Sequence, residues 1–466
     1  MKNSGPEKGD LICCVGNNLA TLIGAYEMAK IGYSVKLFSD NGSLGGFFSG
    51  LSIGGYDFDL GLILVEKFEE NDKNDRKNVD KRSAINSWLT LGEEVSRWLD
   101  DQIGLHMVDT PEVFIFGKKF PDYIISNRLD FLENSGVQSA QCLDFDSRYH
   151  ASNKESGEIY DEVAYVDASE YNHGKDFHVK CIEPFIRKVT SFGSDKFLAR
   201  YHRFSWAPLY YPETLNLAIK GQIVGLKECH FWTTSTGFVG DLVRKVKREI
   251  SMMSNIEVIE KRLSSINLQD NYLEVDGNRY QTDHKILLGL SMDRTLELLQ
   301  ANTVLAGDSD GVNFTIGLAL VHRDAVDHGN KCIFIVDDEF ASYRVTNQDV
   351  IAGLDPEWHR ISIEANSDIL QNRYSELSLE EAIEKDLSRF MRIEDDKHLK
   401  ILKVINVKNG LYLPSKKFVE RKRFLSNSIA SLTGGHAVLT GDLVEYGASS
   451  INNQIMQGLN YKEELL

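Results

Sequence analysis

A turn near the N-terminus contains the residue types that bind a negatively charged group. The apolar run Leu11–Val15 leads directly into the turn Gly16-Asn17-Asn18. Leu19 follows, and from it onward apolar residues recur at helical spacing. The first N–H groups of a helix have no partners within the helix and form the positive end of its dipole. We therefore expect this turn to bind phosphate oxygens.

The elements predicted around the turn form a βαβ unit. Gly32 ends the helical segment, and a second apolar run, Val35–Phe38, stops at Ser39 and Asp40. Strand, turn, helix and strand within about 30 residues is the arrangement that binds dinucleotides. An acidic side chain at the end of the second strand contacts ribose hydroxyls in such units. Ser39 stands at that place and Asp40 follows it, so we assign both to this role.

The usual Gly-x-Gly-x-x-Gly pattern is only partly present. Gly16 occupies the first glycine position, whereas Asn18 and Thr21 occupy the other two. Asparagine tolerates a left-handed backbone better than most residues, and threonine is small enough for moderately close packing. On its own, the loop fits a dinucleotide site and an ordinary βαβ crossover about equally well.

A second glycine-rich segment extends the pattern. Gly45, Gly46 and Phe47 follow the βαβ unit, and Gly55–Gly61 reads Gly-Tyr-Asp-Phe-Asp-Leu-Gly. These motifs resemble the flavoprotein family of amine oxidases, phytoene desaturases, protoporphyrinogen oxidases and UDP-galactopyranose mutases. The resemblance implies that the glycine pair lies along the diphosphate of FAD. Phe47 departs from the Arg or Asn usual in the family, and we keep it among the cofactor-site residues.

The C-terminal region resembles the closing signature of the same family. Gly441 and Asp442 follow an apolar run, and a helix is predicted to begin near Ser450. The resemblance implies that Asp442 contacts a hydroxyl on the ribityl or phosphate side of FAD. It also implies that N–H groups around Ile451 and Asn452 face the flavin and stabilise negative charge there.

Two more features follow from the resemblance. The family's strand that contacts adenine would lie near Arg262–Ile266, with Leu263 making a main-chain contact. Asn453 and Gln454 replace the Gly-Ala pair that is usual at the start of the last helix.

The chain is therefore expected to have an α/β fold with a Rossmann-like FAD-binding domain of the GR2 type and a discontinuous α+β substrate or cap domain. The FAD-binding domain would comprise residues 1–66, 225–300 and 426–466. The cap domain would comprise residues 67–224 and 301–425. The remaining predicted elements are helices at Trp88–Leu99, Phe177–Phe192 and Leu379–Met391, a hairpin joining Val113–Phe116 to Tyr123–Ile125, a hairpin turning at Asp276-Gly277, and strands at Phe314–Val321 and Cys332–Val336.

Four residues are candidates for the substrate site. Arg203 precedes Tyr210 and Tyr211 in a segment that resembles the family's cap, and Arg344 lies in a segment resembling a strand of the mutase-like members. If the substrate is a sugar nucleotide, the two arginines could clamp its diphosphate, and the tyrosines could stack on a ring. Each residue fits an ordinary packing role about equally well.

Composition limits the partners. The 52 basic and 69 acidic residues give a net charge of −17, which argues against nucleic acid and anionic membranes as partners. No apolar run approaches the ~18 residues of a membrane helix. The six cysteines are scattered, and the adjacent Cys13 and Cys14 fit core thiols of a reduced cytoplasmic protein. We expect no metal site, because the spacing of His173 and His178 with their neighbours supplies no closed ligand set.

We therefore expect an FAD-dependent oxidoreductase or mutase acting on a small molecule, with a sugar or sugar nucleotide of surface polysaccharide biosynthesis as the favoured substrate. The flavin N5 would carry the chemistry, and no catalytic side chain is assigned. One alternative is a non-catalytic scaffold whose cofactor site has decayed, and another is an amine oxidase or desaturase. The oligomeric state is open, with a homodimer as one option.

Overall fold

A computed structural model provides the structure of the protein. It describes residues 9–40, 42–67, 85–109, 111–121, 124, 131, 162–207, 231–269, 272–282, 284–300, 311–326, 331–444 and 450–465. Two large sheets dominate this part of the chain, one parallel and one mostly antiparallel.

The parallel sheet has five strands in the order β10-β2-β1-β14-β20. Their bounds are β1 Leu11–Gly16, β2 Ser34–Asp40, β10 Ile256–Lys261, β14 Ile286–Gly289 and β20 Ala437–Leu439. Both faces are covered, as expected for a parallel sheet. Cys13 and Cys14 are free thiols that pack in different core clusters, which confirms their predicted burial in the first strand.

Helices cover both faces of this sheet. One face packs against α1 (Leu19–Lys30), α2 (Ile85–Gln102), α5 (Gly240–Met252) and the C-terminal helix α10 (Ile451–Leu465). The other face packs against α6 (Met292–Leu298), α9 (Lys416–Leu432) and a small antiparallel sheet of β11 (Ile266–Gln269), β12 (Tyr272–Val275) and β13 (Asn278–Gln281).

The second sheet has seven strands in the order β19-β15-β18-β17-β16-β7-β8. Their bounds are β7 Glu112–Ile115, β8 Lys118–Pro121, β15 Gly311–His322, β16 Cys332–Ile335, β17 Ser342–Asn347, β18 Trp358–Asn366 and β19 Leu399–Tyr412. One core cluster includes residues of α7 (Ser367–Arg373) and α8 (Leu379–Met391), and another includes residues of α3 (Tyr165–His173) and α4 (Glu183–Thr190). The remaining short strands are β3 Leu51–Ile53, β4 Tyr56–Phe58, β5 Val65–Glu66, β6 Leu105–Val108 and β9 Phe231–Thr234.

Several local predictions are confirmed. Helix α8 has the predicted bounds and begins with a capping box in which Ser378 and Glu381 bond each other's main-chain N–H groups. The Asp276-Gly277 hairpin is present, with positive φ at both turn residues. The division of the chain into two domains stays a prediction.

Three local predictions are wrong in detail. The hairpin after β7 turns at Phe116 and Gly117, both with positive φ, so the strand that pairs with β7 is Lys118–Pro121. Tyr123 and Ile125, which bound the predicted second strand, lie outside the described residues. Strand β10 ends at Lys261, which places Leu263 in the loop before β11. The helix expected over Phe177–Phe192 contains a π-helical turn at His178–Ile182, and Pro184 lies in the first turn of α4.

Within the described residues, no helix combines the length and the apolar character needed to cross a membrane.

The contact between α1 and the C-terminal helix depends on Gly458. A Cβ at this position would lie 2.8 Å from the main-chain oxygen of Ala20 and 2.8 Å from a side-chain carbon of Ile23. Gly458→Ala is therefore expected to lower the free energy of unfolding by about 1–3 kcal/mol, measured by urea denaturation. Gly104→Ala is the matched control, because a Cβ there meets nothing within 4 Å. Equal stability of the two variants would contradict this packing.

Candidate functional site

The two ends of the chain meet at the carboxyl edge of the parallel sheet. Gly16 has a φ of +139°, and a Cβ there would lie 2.4 Å from the carbonyl oxygen of Gly289, at the end of β14. A Cβ at Gly441 would lie 2.3 Å from Nδ2 of Asn18. The N-terminal loop and the start of the C-terminal segment are thus in direct contact at the edge where open α/β sheets bind ligands.

The glycine pair lies beside this loop. Gly45 forms an isolated parallel bridge with Asn18, and Gly45 and Gly46 have φ values of +91° and +56°. A Cβ at Gly45 would lie 2.4 Å from the Val243 side chain of α5, so only glycine fits there. Phe47 is 50% exposed and contacts Phe48 edge-on, so its ring is not buried in the crevice between the chain ends.

Two N–H groups in the first turn of α1 have partners within the protein. Asn18 caps α1 by accepting a 2.8 Å hydrogen bond from the N–H of Thr21. Oε1 of Gln454 accepts a 3.1 Å hydrogen bond from the N–H of Ala20 in the first turn of the same helix. Sequence reasoning noted Gln454 as a departure from the family but did not predict this bond.

The same pattern recurs at Gly441. Its N–H donates to Oε1 of Gln457 on the C-terminal helix, at 2.6 Å. Asn452 bonds the main chain of Glu66 through both ends of its amide, at 3.0 Å and 2.7 Å. Ser450 caps the helix by accepting from the N–H of Asn453. The side chain of Asp442 lies outside the described part of the chain.

An ion pair occupies the end of β2, where ribose hydroxyls were expected. Arg294 binds Asp40, with Nη2 2.9 Å from Oδ1, and the N–H of Leu263 donates to the same oxygen at 2.8 Å. The carbonyl oxygen of Leu263 accepts from Arg294. Burial favours a higher pKa for Asp40, but the hydrogen bonds from Arg294 and Leu263 lower its pKa below the usual value. Ser39 instead donates to the carbonyl of Gly42, at 3.1 Å.

The glycines at Gly16, Gly45 and Gly441 allow the chain to pack closely at this edge, because added Cβ atoms would clash with Gly289, Val243 and Asn18. Glycines also stand at these places in the motifs that resemble those of FAD-binding proteins. The side chains of Gln454 and Gln457 fit FAD less well, because they already accept the hydrogen bonds that phosphate oxygens would take.

Asp59 positions α5 against the glycine-rich segment. Its buried carboxylate accepts hydrogen bonds from the N–H groups of Val239, at 2.9 Å, and Gly240, at 3.3 Å. These two N–H groups lie at the start of α5 and have no acceptor within the helix. The aspartate accepts their hydrogen bonds and also places a negative charge at the positive end of the helix dipole. Burial raises the pKa of Asp59 to about 7, against the effect of these hydrogen bonds.

Of the four substrate candidates, the structure describes the surroundings of Arg344 alone. Its guanidinium pairs with the buried carboxylate of Glu364 and lies 5.4 Å from the Trp206 ring and 5.7 Å from the Phe334 ring. Nη1 of Arg344 is buried without a hydrogen-bond partner among the described residues. Glu364 in turn lies so close to Gly61 that a Cβ there would overlap it. The side chain of Arg203 and the whole of Tyr210 and Tyr211 lie outside the described residues.

A second buried ion pair connects the seven-stranded sheet to strand β4 and to the turn before α5. Arg360 pairs with Asp349 and donates to the carbonyl oxygens of Asp57, at 2.8 Å, and Thr236. Sequence reasoning missed this pair, because neither residue lies in a motif.

The rejected histidines form a closed network inside the protein. Nδ1 of His178 is 2.8 Å from Oγ of Ser169, which is 3.1 Å from Nδ1 of His173. Nε2 of His178 lies 3.1 Å from Oγ of Ser194 and 3.3 Å from the carboxylate of Glu183. Both histidines are buried and satisfied by these neighbours.

Solved structures match nearly the whole chain, whereas no family model and no curated protein does. A proposed protoporphyrinogen oxidase from Exiguobacterium sp. 255-15 is 14% identical, with a TM-score of 0.61 and 99% of each chain covered. Reduced UDP-galactopyranose mutase is 12% identical, with a TM-score of 0.63 over 99% of this chain and 93% of that one. Wild-type putrescine oxidase bound to putrescine is 10% identical, with a TM-score of 0.56 over 98% and 99%.

The chain has the fold of these oxidases and this mutase. The resemblance inferred from the glycine motifs and the C-terminal signature is thereby confirmed at the level of the fold. Because the identities are only 10–14%, the shared fold leaves the cofactor and the substrate to be argued from the site.

The raised pKa of Asp59 gives a prediction about pH. The folded pKa of about 7 exceeds the unfolded value of about 4, so the folded state binds the proton more tightly and stability from this group is lost as pH rises from about 4 to about 7. Between pH 5 and pH 8 the wild type should lose about 3 kcal/mol relative to Asp59→Asn, which has no titrating group here. Urea denaturation at the two pH values measures this. Parallel pH profiles for the two proteins would contradict it.

The buried pair of Arg344 and Glu364 can be tested by removing one partner and then both. Arg344→Met should lower the free energy of unfolding by about 3–5 kcal/mol, because it leaves the carboxylate of Glu364 buried and uncompensated. Adding Glu364→Gln should recover most of that loss. A double variant no more stable than Arg344→Met would show that the pair is not electrostatically coupled.

Proposed function

We propose that the chain is an FAD-dependent oxidoreductase or mutase. The observation that carries this proposal is the contact between Asn18 in the N-terminal loop and Gly441 near the C-terminus. That contact brings the two half-motifs to one edge of a parallel sheet, in a fold shared with oxidases and a mutase. The proposal includes a Rossmann-like FAD-binding domain of the GR2 type and a cap built on the seven-stranded sheet, with the boundaries given by the sequence.

Each part of the edge would hold one part of the cofactor. Gly16–Leu19 and the pair Gly45-Gly46 would line the diphosphate, together with Gly441 and Asp442. Ser39, Asp40 and Leu263 would face the adenosine, and Ser450–Asn452 would face the flavin. When bound, FAD supplies a group that accepts a hydride or, when reduced, acts as a nucleophile. The protein's part is to position the cofactor and to keep the site dry.

The substrate we propose is a sugar or sugar nucleotide of surface polysaccharide biosynthesis. Arg344 supports it, because Nη1 is a buried donor without a partner among the described residues, next to the exposed edge of Trp206. A buried guanidinium beside an aromatic ring suits an anionic diphosphate joined to a ring. The proposal places the enzyme in the cytoplasm, consistent with the free thiols Cys13 and Cys14. A homodimer stays a prediction.

A second candidate is favoured by a specific observation. The N–H groups of Ala20 and Gly441 are bonded to the side chains of Gln454 and Gln457, and Asp40 is bonded to Arg294. To the extent that a diphosphate needs these groups, it gains little by replacing their existing hydrogen bonds. The chain would then be a non-catalytic scaffold with the fold of a flavoprotein.

Flavin content separates the two candidates. If the chain is FAD-dependent, we expect the purified protein to carry or take up about one FAD per chain. The absorbance of the flavin released on denaturation measures this. Gln454→Ala should bind FAD more tightly, because it frees the Ala20 N–H. Gln371→Ala is the matched control, an exposed glutamine on α7 that should leave FAD binding unchanged.

Two results would contradict the proposal that the chain is an FAD-dependent enzyme. If neither the wild type nor Gln454→Ala takes up FAD, the cofactor site does not exist. If Gln454→Ala binds FAD and the wild type does not, the glutamine has closed the site and the scaffold is correct. If the wild type binds FAD, the need for prior reduction of the flavin separates the two activities. A mutase would require reduced flavin, and an oxidase would not.

A further inference from the structure

Two histidines and one aspartate from two distant segments of the chain meet at one end of the seven-stranded sheet. His322 ends β15, Asp324 lies in the turn Arg323–Ala325 that follows it, and His398 lies in the turn that precedes β19. One potential ligand atom from each of the three residues lies within 4.8 Å of the others. The cluster lies on the seven-stranded sheet, whereas the proposed cofactor edge belongs to the parallel sheet.

The main chain holds the two imidazoles together. Strands β15 and β19 are antiparallel neighbours, and Val321 is paired with Leu399, so His322 and His398 are adjacent at the end of the pair. Their rings are stacked, with centroids 5.2 Å apart and planes 17° from parallel. Two imidazole rings placed side by side in this way can direct a nitrogen each toward one ion after small rotations.

Carboxylates complete the surroundings. Oδ2 of Asp324 lies 3.4 Å from Nδ1 of His322, and Oε1 of Glu357 lies 3.8 Å from its Nε2. The N–H of Asp324 also points at Nδ1 of His322, at 3.4 Å, which holds the turn against the ring. Glu357 is brought in by the start of β18, which pairs with the end of β15. The cluster thus offers two imidazole nitrogens and the carboxylate of Asp324, and Glu357 lies beside the other ring nitrogen of His322.

This ligand set suits a transition-metal ion. Imidazole nitrogens are preferred by Zn²⁺, Cu²⁺ and Ni²⁺, whereas Ca²⁺ and Mg²⁺ prefer sites made of oxygen. Two histidines with one or two carboxylates are a common zinc environment with a position open to water. The carboxylate of Asp324 is exposed and would leave the ion accessible from solvent.

We propose that His322, Asp324 and His398 bind a divalent transition-metal ion of the Zn²⁺ type. The ion would join the turn after β15 to the start of β19 and so fasten the edge of the sheet. This role differs from the proposed FAD chemistry and does not depend on it. Sequence spacing could not indicate it, because the ligands come from different turns.

Titration with metal tests the proposal. The full-length chain is stripped with EDTA, dialysed, and titrated with ZnSO₄ by isothermal calorimetry at pH 7.5. One saturable Zn²⁺ per chain is expected, with a rise in Tm on addition of Zn²⁺. His398→Ala and His322→Ala should each weaken binding by about tenfold or more and abolish the rise in Tm. His436→Ala is the matched control, an exposed histidine outside the cluster that should leave both measurements unchanged.

Two results would overturn the proposal. The first is a wild type that shows no saturable binding. The second is equal binding by the wild type, His322→Ala and His398→Ala, which would show that Zn²⁺ binds other histidines among the 12 in the chain. Circular dichroism of each variant establishes that it is folded, and a third variant, Asp324→Asn, tests the site with both imidazoles kept.

Discussion

The close approach of three main-chain segments at the carboxyl edge of the parallel sheet is the constraint on which the rest of the structure depends. Gly16 faces Gly289, and Gly441 faces Asn18, at distances that exclude a Cβ. Only glycine permits this packing. This packing positions the N-terminal loop beside the C-terminal segment. The two glycine motifs, which are far apart in the sequence, therefore lie at the same edge of the sheet.

The main chain and the side chains at this edge favour different conclusions about the proposed cofactor site. The glycines allow the chain to pack closely where the proposed FAD would lie, while Gln454 and Gln457 from the C-terminal helix accept hydrogen bonds from the N–H groups of Ala20 and Gly441. At the end of β2, Arg294 donates a hydrogen bond to the carboxylate of Asp40, which was expected to contact ribose. A cofactor must therefore displace internal hydrogen bonds, and its affinity depends on the difference between the two sets. The competition links the fold directly to the question of activity.

Much of the fold could be predicted from local sequence patterns. Apolar runs indicated β1 and β2, helical patterns indicated α1 and α8, and Asp276-Gly277 indicated its hairpin. The π-helical turn at His178–Ile182 was missed, because nothing in the local spacing marks it. In the site, motif positions located the glycines. The partners Gln454, Arg294 and Arg360 were not predicted, because a hydrogen bond between residues far apart in the chain leaves no local pattern. The metal cluster was missed for the same reason.

The central claim is that the C-terminal helix satisfies the first turn of α1. Hydrogen–deuterium exchange of the wild type and Gln454→Ala tests it directly. Loss of the bond to Ala20 should speed exchange in peptides that cover residues 18–24 and leave peptides from residues 379–391 unchanged. Equal exchange in residues 18–24 of the two proteins would contradict the account, because it would mean that the two ends of the chain do not hold each other there.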